Sequence, residues 1–324
     1  MGSSDEHEEE RTVDEAHLIE NDIAIKDETG RVILQVCLRG TLYFNSAHTR
    51  RRREAVARCF QKYRQQVGER LCWAHPGRRG FERVRDSTRT PEQWLIEPAF
   101  NEAPGWEFTW HGGEQADSAS HFSITALGPP SREGESLGAL GYLSFCFPLT
   151  WFTDRSPGFP GVLFDFCREL EPTHGYGGIG FERSPNRFLA EGHETKEYEL
   201  AMRFPGLEVD YPLAHSLWLK DAIKGGNWLT VLESRWVSEL GGLETLRAAL
   251  PAPFDFHEYK GGVMIQAGSR PQMGDRLKGF EPLHYHLLAK VLRPLRTKVH
   301  PSIHSPGAGR FDRKAFEAWL ARFD

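Results

Sequence analysis

The chain has 324 residues, of which 39% are apolar and 12% aromatic, so it can bury a substantial core in one large or two ordinary domains. No stretch approaches the roughly 18 consecutive apolar residues that a membrane span requires, and the acidic N-terminus is unlike a secretory signal. The sequence therefore predicts a cytoplasmic protein, and its five cysteines, which lack metal-type spacing, are predicted to be reduced and buried.

Residues 1–22 form a strongly acidic segment. They hold nine Asp and Glu residues against one Arg, a net charge of −8, so the remainder carries +3 of the total charge of −5. Because it has so little apolar content, this segment is predicted to be a mobile tail ahead of a single domain at residues 23–324. Solvation of the tail is the favoured interpretation, and mimicry of nucleic acid toward a basic partner is the alternative.

The first part of that domain shows a strand pattern followed by a helix pattern. Residues 31–44 are rich in β-branched and aromatic side chains and predict a strand, with a bulge near Gly40 as an option. A helix is predicted next, because apolar residues recur at helical spacing up to Val67 and Gly68 follows. The four arginines at 50–53 precede it. A solvated helix start is favoured over a nucleic-acid contact, because no aromatic residues are interleaved for base stacking.

The middle of the chain repeats the alternation of strand and helix. Aromatic and polar residues alternate within residues 106–126 and predict an antiparallel pair, and a strand at 140–147 leads to a helix opened by Pro160. The Pro-, Gly- and Ser-rich residues 128–138 form a candidate linker between sub-halves 31–130 and 137–324. Both sub-halves contain GFER, at 80–83 and 180–183, which suggests an internal duplication with chance as the rival explanation.

The densest local signals lie in residues 221–242. Asn227 is a good helix N-cap, and Gly241 is a good helix stop. Between them the apolar residues, including Trp228 and Trp236, fall on one side of a helix. A short strand at 228–232 that feeds a helix is the competing interpretation, because periodicity does not separate the two for so short a run. Both interpretations bury the two tryptophans.

The C-terminal third predicts a hairpin and three helices. Residues 254–259 and 263–267 flank a Lys-Gly-Gly turn, which favours a β-hairpin. A short helix at 243–250 precedes the hairpin, and further helices begin after Pro282 and Asp312. The apolar faces of these last two helices comprise Leu283, Leu287, Leu288, Val291 and Leu292, and then Phe316, Trp319, Leu320 and Phe323. The whole pattern predicts an α+β fold: a mixed, mostly antiparallel sheet with packed helices and, as an option, two pseudo-repeated strand–loop–helix–strand halves.

Two well-known motifs occur literally, but their context does not fit. Residues 175–180 spell GxGxxG, yet a dinucleotide site needs a strand before this motif and a helix after it, and here a helix comes first. Residues 134–138 spell GxSxG, yet a nucleophile elbow lies between a strand and a helix rather than in a linker. Neither motif predicts an activity.

Fourteen histidines raise the question of a metal site. His284 and His286 would point about 200° apart on a helix, and His300 and His304 lie in a Pro-containing loop without a third ligand nearby in sequence. No metal or cofactor is therefore predicted. Distant His and Asp residues can still converge in a fold, so a hydrolase-type enzyme stays open as the alternative function.

Several segments resemble one known family in their order and spacing. Residues 223–242 (IKGGNWLTVLESRWVSELGG), residues 261–275 (GGVMIQAGSRPQMGD) and the terminal AFEAWLARFD resemble the bacterial type VI secretion immunity proteins described as immunity to VRR-type nucleases, formerly a domain of unknown function. LRGTLYF at 38–44 and LGALGYLSFCFPLTWF at 137–152 support the resemblance. One departure is Gly226, where the family pattern leads us to expect a small apolar residue such as valine; glycine there is expected to loosen the N-cap.

The resemblance implies a non-enzymatic inhibitor that binds a cognate type VI toxin, a nuclease, in a tight 1:1 complex. The residues themselves predict no membrane partner, because no apolar run is long enough, and disfavour direct nucleic-acid binding, because the arginines at 50–53 lack interleaved aromatic residues. Because a nuclease must accept phosphate, acidic and aromatic residues are the expected anchors. The candidate partner-binding residues are the polar members of the resembling segments: Asp221, Lys224, Asn227, Gln266, Arg270 and Asp275. A structural role is the favoured alternative for them, because contacts to a particular toxin are expected on variable loops.

Overall fold

The computed structural model describes residues 23–75, 80–97, 105–131, 138–152, 158–186, 189 and 193–324, and the acidic segment at 1–22 lies outside them. The strands, in chain order, are β1 (Ile25–Lys26), β2 (Val32–Phe44), β3 (Trp73–His75), β4 (Glu82–Arg83), β5 (Trp106–His111), β6 (Ser123–Gly128), β7 (Gly141–Phe147), β8 (His174–Arg183), β9 (Leu229–Glu233), β10 (Phe254–Tyr259) and β11 (Gly262–Ala267). They form one sheet in the order β10-β11-β9-β8-β2-β7-β6-β5-β3-β4, with β1 paired to one end of β2, and every pairing is antiparallel.

Helices cover both faces of this sheet. They are α1 (Arg50–Val67), α2 (Pro91–Trp94), α3 (Phe159–Leu170), α4 (Glu194–Arg203), α5 (Pro212–Trp218), α6 (Ser234–Glu239), α7 (Leu243–Ala249), α8 (Leu283–Leu292) and α9 (Arg313–Leu320). The predicted α+β class, with an antiparallel sheet and packed helices, is confirmed. None of the helices among the described residues is long and apolar enough to cross a membrane.

Strand β2 is the centre of the sheet. It pairs with β8 from Leu34 to Tyr43 and with β7 from Leu38 to Phe44. The pairing passes through Gly40 without a register shift, so the optional bulge there is wrong. Instead, atoms of the Phe145 ring lie 2.8 Å from the position that a Cβ of Gly40 would occupy. Glycine is needed because an aromatic ring packs directly on the backbone.

Helices α1 and α3 pack on one face of the central strands. The predicted α1 face is confirmed: Cys59, Phe60 and Tyr63 are buried, and the helix ends at Gly68. Tyr63 donates a hydrogen bond of 2.6 Å from its hydroxyl to the carbonyl of Cys146, which ties the helix to β7. The predicted antiparallel pair of β5 and β6 and the helix opened by Pro160 are also confirmed.

The arginine cluster at 50–53 occupies the first turn of α1. Arg50 and Arg51 are exposed, as a solvated helix start requires, but Arg53 is buried and Arg52 donates to the carbonyl of Leu170. The prediction is therefore wrong for the second pair, because their long side chains turn toward the body of the protein. Four of the five cysteines are buried, and Cys72 is half-buried; all five are free thiols.

The short-strand interpretation of residues 228–232 is correct. Leu229–Glu233 form β9, which pairs with β8 and β11, and only then does α6 begin. Asn227 therefore precedes a strand, and the predicted helix N-cap at this position is wrong. The side-chain carbonyl of Asn227 instead accepts from the backbone N–H of Trp228, at 2.6 Å. Trp228 and Trp236 are both buried, as predicted.

The two C-terminal helices form where they are predicted, but α8 turns a different face inward. Asp312 caps α9, and the predicted α9 face is buried. In α8, Leu283 is 73% exposed and Leu287 is also exposed, while the buried residues are Tyr285, Leu288, Ala289 and Leu292. Both sides of α8 are apolar, so the pattern alone did not fix its orientation.

The sub-halves 31–130 and 137–324 share a single sheet. Strand β2 of the first lies between β7 and β8 of the second, and the candidate linker connects two neighbouring strands, β6 and β7. The two GFER segments occupy unlike positions, since 180–183 end the central strand β8 whereas 80–83 lead into the edge strand β4. Residues 175–180 also lie inside β8, and most of the GxSxG segment lies outside the described residues.

Candidate functional site

Two of the six candidate residues, Lys224 and Asn227, lie in the interior. The ammonium group of Lys224 contacts the carboxylate of Glu208 and donates to the carbonyl of Val209 at 2.9 Å. The amide of Asn227 donates to the same carboxylate at 2.5 Å. Glu208 is therefore held by two side chains from residues 224–227, and the loop before β9 is fixed to residues 208–209.

Three candidates surround the loop that follows β11. Asp275 accepts from the backbone N–H of Leu277 at 3.0 Å and forms a bidentate ion pair with Arg203, at 2.8 and 3.1 Å. The Gln266 amide donates to the carbonyl of Gly268 at 3.1 Å, and Arg270 is half-buried. The contacts of Gln266 and Asp275 fold the loop back on itself and onto α4.

Asp221 differs from the other five, because its side chain is 75% exposed and its carboxylate lies 3.7 Å from the guanidinium of Arg235. The structure thus brings Lys224 and Asn227 together around Glu208 and leaves Asp221 at the surface. Gln266 lies near the end of β11, and Arg270 and Asp275 lie in the loop that follows it.

Asp210 is at the centre of a larger buried charge network on the sheet face opposite α1 and α3. Its carboxylate accepts from Thr41 at 2.6 Å, from Tyr176 at 2.6 Å and from the guanidinium of Arg39 at 3.0 Å. Burial opposes ionisation, but the charges of Lys224 and Arg39 outweigh it and hold the pKa of Asp210 well below its usual range. The carboxylate is therefore ionised and fully paired.

A second buried cluster surrounds Glu197 of α4. Arg183 forms a bidentate ion pair with it, and Tyr211 donates to it at 3.0 Å. Against the effect of burial, the charge of Arg183 holds the pKa of Glu197 well below its usual range. Arg183 also donates to the backbone carbonyl of Asp210 at 2.7 Å, so the two clusters are joined.

Histidines line both clusters. Nδ1 of His193 lies 3.6 Å from a carboxylate oxygen of Glu197, and Nε2 of His304 lies 3.5 Å from the same oxygen. Nδ1 of His215 lies 3.0 Å from Nε2 of His300. Burial lowers the pKa of His193 to about 4, so its ring is neutral near pH 7. Across the part of the chain that the structure describes, no group of three or more His, Cys, Asp or Glu residues is arranged to hold a metal ion.

His and Asp residues thus converge, but in a place that does not suit hydrolysis. The side chains of Glu197, Asp210 and His215 have no solvent-exposed surface, so a substrate cannot reach them without opening the interior. Both carboxylates already have charged partners and hydrogen bonds, as buried ions require. The buried contacts link β2, β8, α4 and the loop before β9, and they therefore stabilise the fold.

The sequence contains one signal that could have revealed part of this network. Arg39 is the one charged residue in the largely apolar stretch 32–44. A charge inside such a run is costly unless an opposite charge faces it, so Arg39 predicts a buried acidic partner, although the sequence does not identify Asp210 as that partner. Arg183 and Glu197 carry no comparable signal.

Among the described residues, most of the exposed large apolar side chains fall into two groups along the chain. The α5 patch comprises Leu213, Leu217 and Trp218, with Trp218 52% exposed and Asp221 three residues further on. The α8 patch comprises Leu277, Phe280, Leu283 and Leu287, which are 79%, 66%, 73% and 36% exposed. Contiguous exposed apolar groups of this kind mark interaction surfaces more often than isolated ones do.

Comparisons with known proteins identify the family. The family model described as "Type VI immunity for VRR-NUC" matches residues 55–323. A solved structure described as "Pseudomonas aeruginosa T6SS protein PA0821" is similar to this chain, with a TM-score of 0.86 and 28% sequence identity over 99% of this chain and 92% of that one. No curated protein matches the chain. On the strength of a match that spans most of its length, the chain belongs to the type VI immunity family for VRR-NUC.

Proposed function

We propose that this protein binds a cognate type VI toxin, a nuclease, and neutralises it in the cytoplasm by forming a tight, non-enzymatic 1:1 complex. The observation that carries the proposal is the family match over residues 55–323. Inhibitors of this kind need a rigid surface rather than a catalytic group, and nuclease–immunity pairs are among the tightest complexes known. The sealed charge network supports this function because it makes the scaffold rigid and offers no open catalytic centre.

We place the toxin contact at the α5 patch together with Asp221. Trp218 is a large, rigid side chain that stays half-exposed in the part of the chain that the structure describes, and such tryptophans are favoured binding anchors. A nuclease must carry positive charge where it binds phosphate, so the exposed carboxylate of Asp221 fits it. For Lys224, Asn227, Gln266 and Asp275 we propose scaffold roles, because their polar groups are engaged within the fold.

Co-expression tests the proposal. The protein is produced in cells together with a candidate VRR-type nuclease toxin from the same genome, and survival and co-purification are measured. We expect survival with the wild-type protein and loss of the complex with Trp218→Asp. The control Ile96→Asp changes another exposed apolar residue, far from α5 in sequence, and is expected to protect. Failure of the wild-type protein to rescue cells or to co-purify with the nuclease would refute the function. Full protection by Trp218→Asp would refute only the proposed surface.

A further inference from the structure

Strand β10 forms one edge of the sheet and is paired on one side only. Its partner is β11, and the pairing runs in regular register from Phe254 to Tyr259. The strand at the opposite edge, β4, is two residues long, whereas β10 has six residues and contains no proline. Short strands and prolines are among the features that protect sheet edges from pairing with other chains. The β10 edge has neither.

The hydrogen-bond pattern shows which backbone groups of β10 point away from the sheet. The N–H of Ala267 donates to the carbonyl of Trp228 at 2.7 Å, so residues 263, 265 and 267 of β11 bond toward β9. Residues 262, 264 and 266 therefore bond to residues 259, 257 and 255 of β10. The N–H and C=O groups of Phe256 and Glu258 point outward. Within the described residues no protein hydrogen bond reaches these four groups.

The side chains around this edge carry a net negative charge. Asp255 is exposed and has no ion-pair partner among the residues that the structure describes. Arg247 lies 2.7 Å from the carboxylates of both Glu244 and Glu258, so one cation serves two anions. Lys260, in the turn, lies 3.5 Å from a carboxylate that follows α3. Four carboxylates therefore face two cations, even after every ion pair is counted.

This edge is continuous with the proposed toxin contact at Asp221. Arg235 lies 3.7 Å from the carboxylate of Asp221 and donates to that of Glu233 at 2.7 Å. Glu233 ends β9 and is in register with Gly262, the first residue of β11 after the turn. Because neighbouring strands lie about 4.8 Å apart, β10 is roughly 10 Å from β9 at this end. A partner seated on Asp221 can therefore reach the end of β10 near Glu258.

We propose that an extended segment of the toxin, carrying Lys or Arg, pairs with β10 and adds a strand to the sheet. This inference rests on the proposed function, which supplies the toxin as the partner. Backbone pairing of this kind gives affinity, and the surplus of carboxylates selects a basic segment, as expected of a protein that binds phosphate. A second copy of this chain fits less well, because it brings an identical acidic edge against this one.

Amide hydrogen exchange of the full-length protein, measured at single residues by NMR, tests the pairing. The added probe is a purified candidate VRR-type nuclease toxin from the same genome. In the free protein the amides of His257 and Tyr259 should exchange slowly and those of Phe256 and Glu258 rapidly, because only the first pair is bonded to β11. Toxin should slow exchange at Phe256 and Glu258 by roughly tenfold or more.

The exchange experiment separates three contrary results. If no complex forms, the proposed function itself is refuted. If a complex forms but exchange at Phe256 and Glu258 is unchanged, the strand pairing is overturned and the proposed function stands. If exchange at these residues slows with increasing protein concentration in the absence of toxin, the occupant is a second copy, which also overturns the proposal.

A matched pair of variants tests the outward N–H of Glu258. Glu258→Ala removes the carboxylate and keeps the N–H, whereas Glu258→Pro removes both, and proline is tolerated at an edge position whose N–H faces outward. The two variants should have similar urea midpoints. Glu258→Pro should dissociate from the toxin roughly tenfold faster than Glu258→Ala, because a carbonyl of the toxin loses its donor. Equal dissociation rates from two folded variants would contradict the pairing.

A charge reversal tests the basic character of the segment. Asp255→Lys should weaken binding to the same toxin and make the remaining affinity less sensitive to salt, because an attraction between opposite charges is replaced by a repulsion. Asp255→Asn, which only removes the charge, should lie between the wild type and Asp255→Lys. Affinity that is unchanged in both variants would exclude a basic segment at this edge.

Discussion

Lys224 is a buried cation whose partners are all internal. Its ammonium contacts Glu208, and its Nζ lies 3.8 Å from the ring centroid of Tyr176 and 3.8 Å from a carboxylate oxygen of Asp210. The surrounding carboxylates are arranged for a positive charge at this point. Lys224 therefore stabilises the fold, although the sequence singled it out as a candidate for partner binding.

Lys224→Met tests this role. Removing the ammonium leaves Glu208 and Asp210 short of a counter-charge in the interior, and breaking a buried ion pair in this way costs about 3–5 kcal/mol. We expect the urea midpoint to fall by a corresponding amount. Lys196→Met, which removes an exposed ammonium that contacts Glu199, should change the free energy of unfolding by less than about 0.5 kcal/mol. Equal stability of the two variants would contradict the structural role.

The buried histidines predict a dependence of stability on pH. Burial lowers the pKa of His174 and of His193 to about 4, whereas an unfolded histidine titrates near 6.5. Between these values the unfolded chain binds more protons than the folded one. Stability is therefore complete above about pH 6.5 and falls as the pH decreases toward 4, by up to about 3 kcal/mol for each histidine.

Urea unfolding at pH 7.5, 6.0 and 5.0 measures this effect. We expect the midpoint to decrease at each step. In His174→Gln the ring is absent, so the decrease between pH 6.0 and 5.0 should be smaller, whatever the stability at pH 7.5. Below about pH 4.5 the loss steepens, because Glu197 and Asp210 have lowered pKa values and their ionised forms stabilise the folded state. A midpoint independent of pH from 7.5 to 5.0 would contradict the assignment.

At the scale of elements, the contact between the loop before β9 and α8 explains a departure from the family pattern. A Cβ on Gly226 would lie 2.7 Å from Cγ and Cδ2 of Leu288 and 3.3 Å from Leu292. The expectation that glycine loosens a helix cap here is wrong, since no helix begins at this point. Instead, Leu288 fills the space that a larger residue at 226 would need.

Gly226→Val should therefore destabilise the protein by about 1–3 kcal/mol through overpacking. In the double variant Gly226→Val/Leu288→Ala, the shorter side chain at 288 leaves room for the valine. The double variant should therefore lose less free energy of unfolding than the sum of the two single variants. Gly80→Ala is the control, since nothing lies within 4 Å of the position that its methyl group would occupy and its backbone is permissive. If the losses in free energy of unfolding were fully additive in the double variant, residues 226 and 288 would not be in direct contact.

Elements were predictable where one local signal dominated. The hairpin of β10 and β11 follows from its turn, and α9 follows from Asp312 and one apolar stripe. The orientation of α8 was not predictable, because both its faces are apolar. The strand at 229–233 was not uniquely predictable, because so short an apolar run is compatible with a helix or a strand. Hydrogen bonds to β8 and β11 decide for the strand, and these partners are distant in sequence. The charge network was missed because its members are far apart in sequence.

For the molecule as a whole, we propose that residues 23–324 unfold as one unit. The apolar core is continuous from β2 to α9, and β2 of the first sub-half is hydrogen-bonded on both sides to strands of the second. Neither 31–130 nor 137–324 can complete its sheet alone. Tryptophan fluorescence and far-UV circular dichroism should therefore report one coincident urea transition, and each sub-half produced separately should lack cooperative unfolding. Two separated transitions would contradict this.

The position of β2 has a further consequence during synthesis. This strand is synthesised before its two long neighbours, β7 and β8, which end only at Phe147 and Arg183. Until more than a hundred further residues have been translated, residues 38–44 of β2 lack β7, and residues 34–43 lack β8 for longer still; only the first end of β2 has a native partner, β1. Contacts so distant in sequence make folding slow and expose the nascent chain to aggregation. We therefore expect the yield of soluble protein to depend on chaperones that shield nascent chains until residue 183 has emerged.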